Sequence, residues 1–165
     1  MRHRHLVTGL AAAALAITVA APADAELLAR KDLSLATSLA IATTAADLCK
    51  SQGYTVSVAV VGRNGEVIVQ MRGDNAPPHT VENSFRKAYS SRTYRVPSGE
   101  LVKRLKDNPQ APFVYLSNVV AAQGALPIKA GDDVVGAVGV SGAPGGEKDE
   151  VCAKAGIDKA ADTLK

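Results

Sequence analysis

The sequence predicts an α+β fold: one antiparallel sheet of about five strands, with the N- and C-terminal helices packed together on one face. Three observations carry this. Apolar residues recur at helical spacing near both ends of the chain, and short β-branched segments lie between them. Asn64-Gly65, the strongest short hairpin signal in the chain, separates two of those segments. Val134 to Ile157 then reads as a strand, a glycine-rich turn and a helix in direct succession.

The first 25 residues stand apart from this fold. Arg2 and Arg4 make a basic start, Leu6 to Ala21 is a short apolar run, and Ala23-Asp24-Ala25 puts small residues at both recognition positions. That is the pattern of a secretory signal peptide, with cleavage expected before Glu26. The run falls short of the ~18–20 residues a spanning helix needs, and no later segment is apolar for long enough. The expectation is an exported protein, periplasmic or extracellular, with no stable membrane insertion, whose residues 26–165 form a single domain. Without Arg2, Arg4 and Asp24, those 140 of the 165 residues carry 17 basic and 15 acidic side chains, a net charge of +2. The basic residues do not cluster as nucleic-acid binding requires. Aromatic residues are only 4% of the chain, so the core must be built from closely packed Ala, Val and Gly.

The first helix is expected from about Asp32 to Ser51, with Leu28, Leu35, Leu39, Ala42, Ala46 and Cys49 on one face and Gly53 as its stop. Thr55 to Val61 alternates and is β-branched, and Glu66 to Met71 returns antiparallel across the Asn64-Gly65 turn. Gly73 to Pro78 is a loop stiffened by two prolines. A second helix runs from Thr80 to about Tyr94, with Val81, Phe85, Ala88 and Arg92 on one side. Pro97 opens a shorter helix, Ser98 to Lys106. Phe113 to Leu116 and Val119 to Ala122 are short apolar pieces, and Gly124 to Ala130 reads as a strand bent at Pro127.

In the last strand, Val134, Gly136, Val138 and Val140 alternate with Val135, Ala137 and Gly139. The glycines leave a nearly smooth surface against which a helix or a flat ligand can lie. Ser141 to Gly146 then turns into a helix whose first turn holds Glu147, Asp149 and Glu150, where the dipole favours acids. Ala153, Ile157, Ala160, Ala161 and Leu164 follow at helical spacing. Two readings compete for the turn. Free N–H groups at a helix start can hold an anion, or the glycines simply relieve a tight backbone. The spacing matches neither a P-loop nor a dinucleotide fingerprint, and three acids behind the turn would repel an anion. The tight turn is favoured.

Beyond residue 25 there are two cysteines, Cys49 and Cys152. An oxidising compartment favours a disulfide between them, joining the first helix to the last. Two buried free thiols are the alternative. A metal site has no supporting CxxC or His-rich spacing.

The segment GALPIKAGDDVVGAVGVSGAPGGEKDEVCAKAGI resembles the closing segment of the GlcG/HbpS-type haem-binding family. The VAVVGRNGEVIVQMRGDNAP hairpin and the KAYSSRTY stretch agree with it. The resemblance covers nearly all of residues 26–165 and is loosest between Pro77 and Gly124. It implies a profilin-like α-β-α sandwich, homo-oligomerisation and, in several members, haem bound outside the cell or in the periplasm. Some exported members are linked to haem-responsive two-component signalling. The implied partners are therefore haem, further copies of the chain, and a membrane-bound sensor kinase or haem transporter.

No haem-iron ligand of the family maps residue by residue onto this chain, so the candidates come from chemistry. Haem iron takes His, Cys thiolate, Met or Tyr. His79, the only histidine beyond residue 25, is the first candidate for the iron; its bland alternative is an exposed residue capping a helix. Arg86 and Lys87 on the same helix can pair with propionates. Tyr89 and Tyr94 are alternative ligands or ring-stacking walls, or simply core-edge tyrosines. Met71 reads as packing. Arg86, Lys87, Arg92 and Arg95 also fit a solvated helix face. No catalytic constellation appears: His79 alone cannot complete a triad with Ser141, and Gly139-Val140-Ser141-Gly142-Ala143 fails the nucleophile elbow. The reading is an exported haem-binding protein that scavenges, stores or senses haem. The alternatives are an enzyme acting on a small molecule or on haem in a pocket between subunits, and a ligand-free module docking on a membrane sensor.

Overall fold

The structure, a computed structural model, describes residues 27–165; the expected signal peptide, residues 1–25, lies outside the described residues. Helix α1 (Leu35–Ser51) begins where the Thr37 N–H donates to Ser34 Oγ at 3.1 Å, a side-chain cap that sets its start three residues later than the spacing suggests. Strands β1 (Ser57–Val61) and β2 (Val67–Arg72) form the expected antiparallel hairpin. Helices α2 (His79–Tyr94) and α3 (Gly99–Asp107) follow, then a 3₁₀ turn at Pro112–Tyr115. Strands β3 (Ala125–Ala130) and β4 (Asp133–Ser141) lead into α4 (Gly146–Lys159).

The sheet has four antiparallel strands in the order β2-β1-β4-β3, one fewer than expected. Neither short apolar piece after α3 is a strand. The Phe113 ring packs edge-on against Tyr94 with centroids 5.9 Å apart. Further on, the Val120 N–H donates to Ser90 Oγ at 2.8 Å, and Arg86 Nη2 donates to the Val119 carbonyl at 2.9 Å. Side chains of α2 thus satisfy the backbone that a neighbouring strand would otherwise have to satisfy. Pro127 is accommodated because β3 is an edge strand, where a missing N–H interrupts no second ladder.

Helices α1 and α4 share one face of the sheet, as expected, over a core that includes Ile41, Val58, Val60, Val138 and Ala153. The buried side of α1 is Ser38, Ile41, Ala42, Ala45 and Cys49, displaced from the expected stripe; Leu35 and Leu39 are 58% and 42% exposed. The cause is close packing. A Cβ at Gly156 would collide with the Ile41 carbonyl, so small side chains fill this contact and the leucines turn outward. Cys49 and Cys152 form a disulfide across the two helices, Cα–Cα 5.7 Å, linking positions 103 residues apart. In the chain-entropy picture a loop of that size contributes up to roughly 4–5 kcal/mol.

Helix α2 lies on the opposite face, against Ala59, Val61 and Ala137. The smooth surface of β4 therefore carries a helix: a Cβ at Gly139 would collide with the Ser84 carbonyl and the Ala88 amide. That closeness decides which side of α2 turns inward. It is Thr80, Ser84, Lys87, Ala88 and Ser91, all buried, while Val81, Phe85 and Arg92 are only half-buried. The strict alternation expected of β4 breaks once. A bulge opposite Ile128–Lys129 brings Val135 into the α1/α4 core, away from Ala137.

Candidate functional site

The candidate residues sit on α2, and the loop before it sets their position. Arg72, at the end of β2, donates Nε and Nη2 to the Ala76 carbonyl at 2.9 and 2.5 Å, closing the Gly73–Pro78 loop. Pro78 has helical backbone angles and caps α2 without a side-chain hydrogen bond. Thr80 anchors the first turn: its hydroxyl lies 2.8 Å from Ser57 Oγ in the interior and donates to the Pro77 carbonyl at 2.7 Å. His79, one residue earlier, is left exposed at the start of the helix, with no side-chain hydrogen bond among the described residues.

Helical geometry separates the four candidates. At 100° per residue, Arg86 returns to within about 20° of His79 and lies roughly 10 Å further along the axis. Arg86 is part-buried, reaching the Val119 carbonyl and standing 3.5 Å from Glu82 Oε1. Tyr89 is turned about 80° to one side; it is half-buried over the Gly65 turn, with its ring centroid 5.8 Å from that of Phe85. Lys87 is turned about 80° the other way, into the protein. The structure brings His79 and Arg86 to one face and sends Lys87 elsewhere.

Lys87 is not part of a solvated face. Its ammonium donates to Asp149 Oδ2 at 2.8 Å and to the Val140 carbonyl at 3.1 Å, with the two side chains 5% and 3% exposed. Gly124 makes room for it, since a Cβ there would stand 2.6 Å from Lys87 Nζ; its φ of +134° suits glycine as well. Asp149 Oδ1 accepts the Ala143 N–H at 3.0 Å. A carboxylate from the chain itself thus fills the anion role considered for the glycine turn. Burial pushes the Asp149 carboxyl above its ordinary value, against the opposing pull of Lys87.

Residue types alone did not single out this polar seam. Asn83 Nδ2 donates to Ser141 Oγ at 3.0 Å, and Gln70 Nε2 to Ser84 Oγ at 3.1 Å. Gln123 Nε2 donates to Glu150 Oε2 at 2.9 Å. The small residues Thr80, Ser84, Ala88 and Ser91, three or four apart, are the signal that could have shown α2's inward side. Tyr94 packs against Phe113 under the Arg104 guanidinium, and Met71 packs against the α1/α4 core.

Among the clefts of the described residues are ones of about 360, 300 and 240 Å³, and His79, Arg86 and Tyr89 line none of these three. Sites that bury most of a drug-sized ligand run to about 300–1,000 Å³ and are concave. The donor chemistry on α2 fits haem, with an exposed imidazole and a guanidinium on one face. His79 stands exposed at that face.

The chain matches the family model described as "Haem degrading protein HbpS-like" over residues 33–158. A double mutant of Streptomyces reticuli HbpS is similar in structure, with a TM-score of 0.77 and 34% identity, over 87% of this chain and 97% of that one. Klebsiella pneumoniae protein ORFY matches at a TM-score of 0.72 and 23% identity, over 82% of this chain and 98% of that one. A PduOC–haem complex matches at 0.71 and 21% identity, over 78% and 95%. At those last two identities the likeness is one of fold. No curated protein sequence gives a significant match.

Proposed function

The chain belongs to the HbpS-like family, and from that premise we propose that it is an exported haem-binding protein that scavenges, stores or senses haem. The observation that carries the reading is the family match across residues 33–158, with α2 as the place where this chain offers haem chemistry. Haem, when bound, supplies an iron that takes an axial ligand and carries the redox chemistry. His79 offers an imidazole nitrogen to it from the start of α2. Arg86 offers a guanidinium to a propionate from the same face. Tyr89 offers an aromatic wall. Lys87 is held by Asp149 and leaves the set. A second copy of the chain in a homo-oligomer would cover the exposed His79 and complete the site.

Titration of the purified protein with hemin, followed at the Soret band, tests the reading. A saturable shift is expected, with the band displaced or weakened in His79→Ala. An unchanged shift in the variant would move the ligand to another side chain. No saturable shift in the wild type would sink haem binding altogether. The family's own description, a haem degrading protein, favours a second reading in which bound haem is consumed. Loss of the Soret band over time with a reductant and oxygen, at a rate proportional to protein, would mark that outcome.

A further inference from the structure

The cleft of about 360 Å³ opens between the last turns of α1 and the loop that follows β2. Main-chain bonds hold both of its walls. The Tyr54 N–H donates to the Cys49 carbonyl at 2.9 Å, turning the chain out of α1, and Cys49 is tied to α4 by the disulfide. The Gly73 N–H donates to the Val56 carbonyl at 2.9 Å, an approach so close that a Cβ at Gly73 would stand 2.8 Å from that oxygen. The Ala76 N–H then donates to the Gly73 carbonyl at 3.1 Å, which makes a tight turn with Asp74 at its tip. Arg72 clamps the same turn through the Ala76 carbonyl. A cleft built this way is formed before any ligand arrives.

Four charged side chains line it, Asp47 and Lys50 from α1 and Arg72 and Asp74 from the end of β2 and its turn. None of the four forms an ion pair among the described residues. Asp47 and Lys50 stand three residues apart, acid before base. At that same order and spacing Glu100–Lys103 and Asp162–Lys165 each close at 2.7 Å. Over the cleft the pair stays open. Arg72 gives Nε and Nη2 to Ala76, which occupies one edge of its guanidinium. The Nη1–Nη2 edge, a fork that matches a carboxylate, has no partner among the described residues. Between the charges lie Ala46, Val56 and the half-buried Tyr54 ring, with Lys148 Nζ 5.6 Å from the ring centroid.

We propose that this cleft binds a free α-amino acid with an apolar side chain. Arg72 and Lys50 take the carboxylate, Asp47 and Asp74 take the ammonium, and Tyr54 with Ala46 and Val56 takes the side chain. Two cations and two anions cancel, so a ligand with a single charge meets repulsion from one set as it gains attraction from the other. A zwitterion satisfies both, which makes the balance of charge a source of specificity. No ion pair has to break for the ligand to enter, and Asp47, Lys50 and Asp74 are exposed at the rim. The volume of about 360 Å³ lies near the lower end of small-molecule sites, roughly 300–1,000 Å³, as an amino acid requires. This site goes beyond haem binding and does not rest on it.

Backbone amide spectra of the ¹⁵N-labelled protein test this, in titrations with L-leucine and with two analogues that each keep one of its charges, isocaproate and isopentylamine, at equal ionic strength. Saturating shifts with leucine are expected at the amides of Lys50, Tyr54, Gly73 and Asp74, with both analogues weaker by about tenfold or more. Asp74→Asn and Lys50→Gln, both at exposed positions, should each weaken leucine by about the same factor, with the rest of the spectrum in place to show that the fold is intact. No saturating shift with leucine, an analogue that binds as well as leucine, or an affinity unchanged in either variant would overturn the site. The readout does not depend on hemin, so the amino-acid site and the haem reading fail separately.

Discussion

At the start of β4, Asp133 receives the Arg63 guanidinium at 2.9 Å with its own side chain 64% exposed. At the strand's other end, Lys87 reaches the Val140 carbonyl and Asp149, both charged side chains closed off from water. Each site pairs a cation with a carboxylate at hydrogen-bond distance, yet the carboxyls respond in opposite directions. The hydrogen bond from Arg63 holds Asp133 below its ordinary value. Burial pushes Asp149 above it. Proximity of opposite charges is the same in both, so solvent decides the sign. Where water remains, the partner's charge prevails; where it is removed, the lost hydration does. The buried pair is also the junction at which α2 and the N-terminus of α4 meet behind Gly124, and the exposed one ties the segment before α1 to the sheet.

The largest expected effect comes from breaking the buried pair on one side. Lys87→Met leaves Asp149 desolvated without its cation, a loss of about 3–5 kcal/mol near neutral pH. Urea unfolding reads it directly. Lys87→Met combined with Asp149→Leu should recover most of that loss, apart from the bond to the Ala143 N–H. If the double variant is as unstable as the single one, the pair is not the source of the cost.

A smaller effect follows in the pH dependence. Asp149 holds its proton more tightly folded than unfolded, so the native state binds the extra proton. Stability associated with this group therefore falls as pH rises from the unfolded value of about 3.9 through the raised folded one. In Lys87→Met, which removes the pull that restrains the shift, the decline should extend to higher pH and the deficit against wild type should grow. Urea midpoints that run parallel for the two proteins across that range would contradict the assignment of burial as the dominant cause.

The two ion pairs were not equally legible in the sequence. Asn64-Gly65 marks the hairpin because few other dipeptides adopt its turn, and the glycines of β4 announce a close neighbour because side chains are absent there. The disulfide was readable from position, since the two cysteines beyond residue 25 fall on the first and last helices. Lys87 was not, since KAYSSR has the composition of a solvated helix face and burial depends on a glycine 37 positions away. The same gap explains the missing fifth strand. Val119 to Ala122 is apolar enough to be extended, but Ser90 and Arg86 claim its backbone, and such long-range capture leaves no local pattern. For the candidate site, residue types named His79 and Arg86; that α2 begins at His79, so that the two share a face, and that Lys87 turns inward both needed the packed structure.

The smallest effect belongs to the exposed pair, and its sign is what tests the comparison. Asp133 is depressed in the folded protein, so its contribution is present above the unfolded carboxylate value and is lost as pH falls through the folded one. Asp133→Asn should lower the urea midpoint slightly at about pH 6, and the difference from wild type should be smaller at about pH 3, below the unfolded carboxylate value. Added salt should shrink it, because surface charges are screened within about 10 Å at moderate ionic strength. Salt should leave the Lys87→Met deficit nearly untouched, since ions do not reach a pair this enclosed. Arg63 also donates to Asp32 and to the Lys31 carbonyl, so it keeps two of its three partners in Asp133→Asn and the segment before α1 stays in place. A midpoint that rose with the substitution, or one that fell equally at both pH values, would mean that the guanidinium does not stabilise the exposed carboxylate. The contrast between the two ends of β4 would then reduce to burial alone.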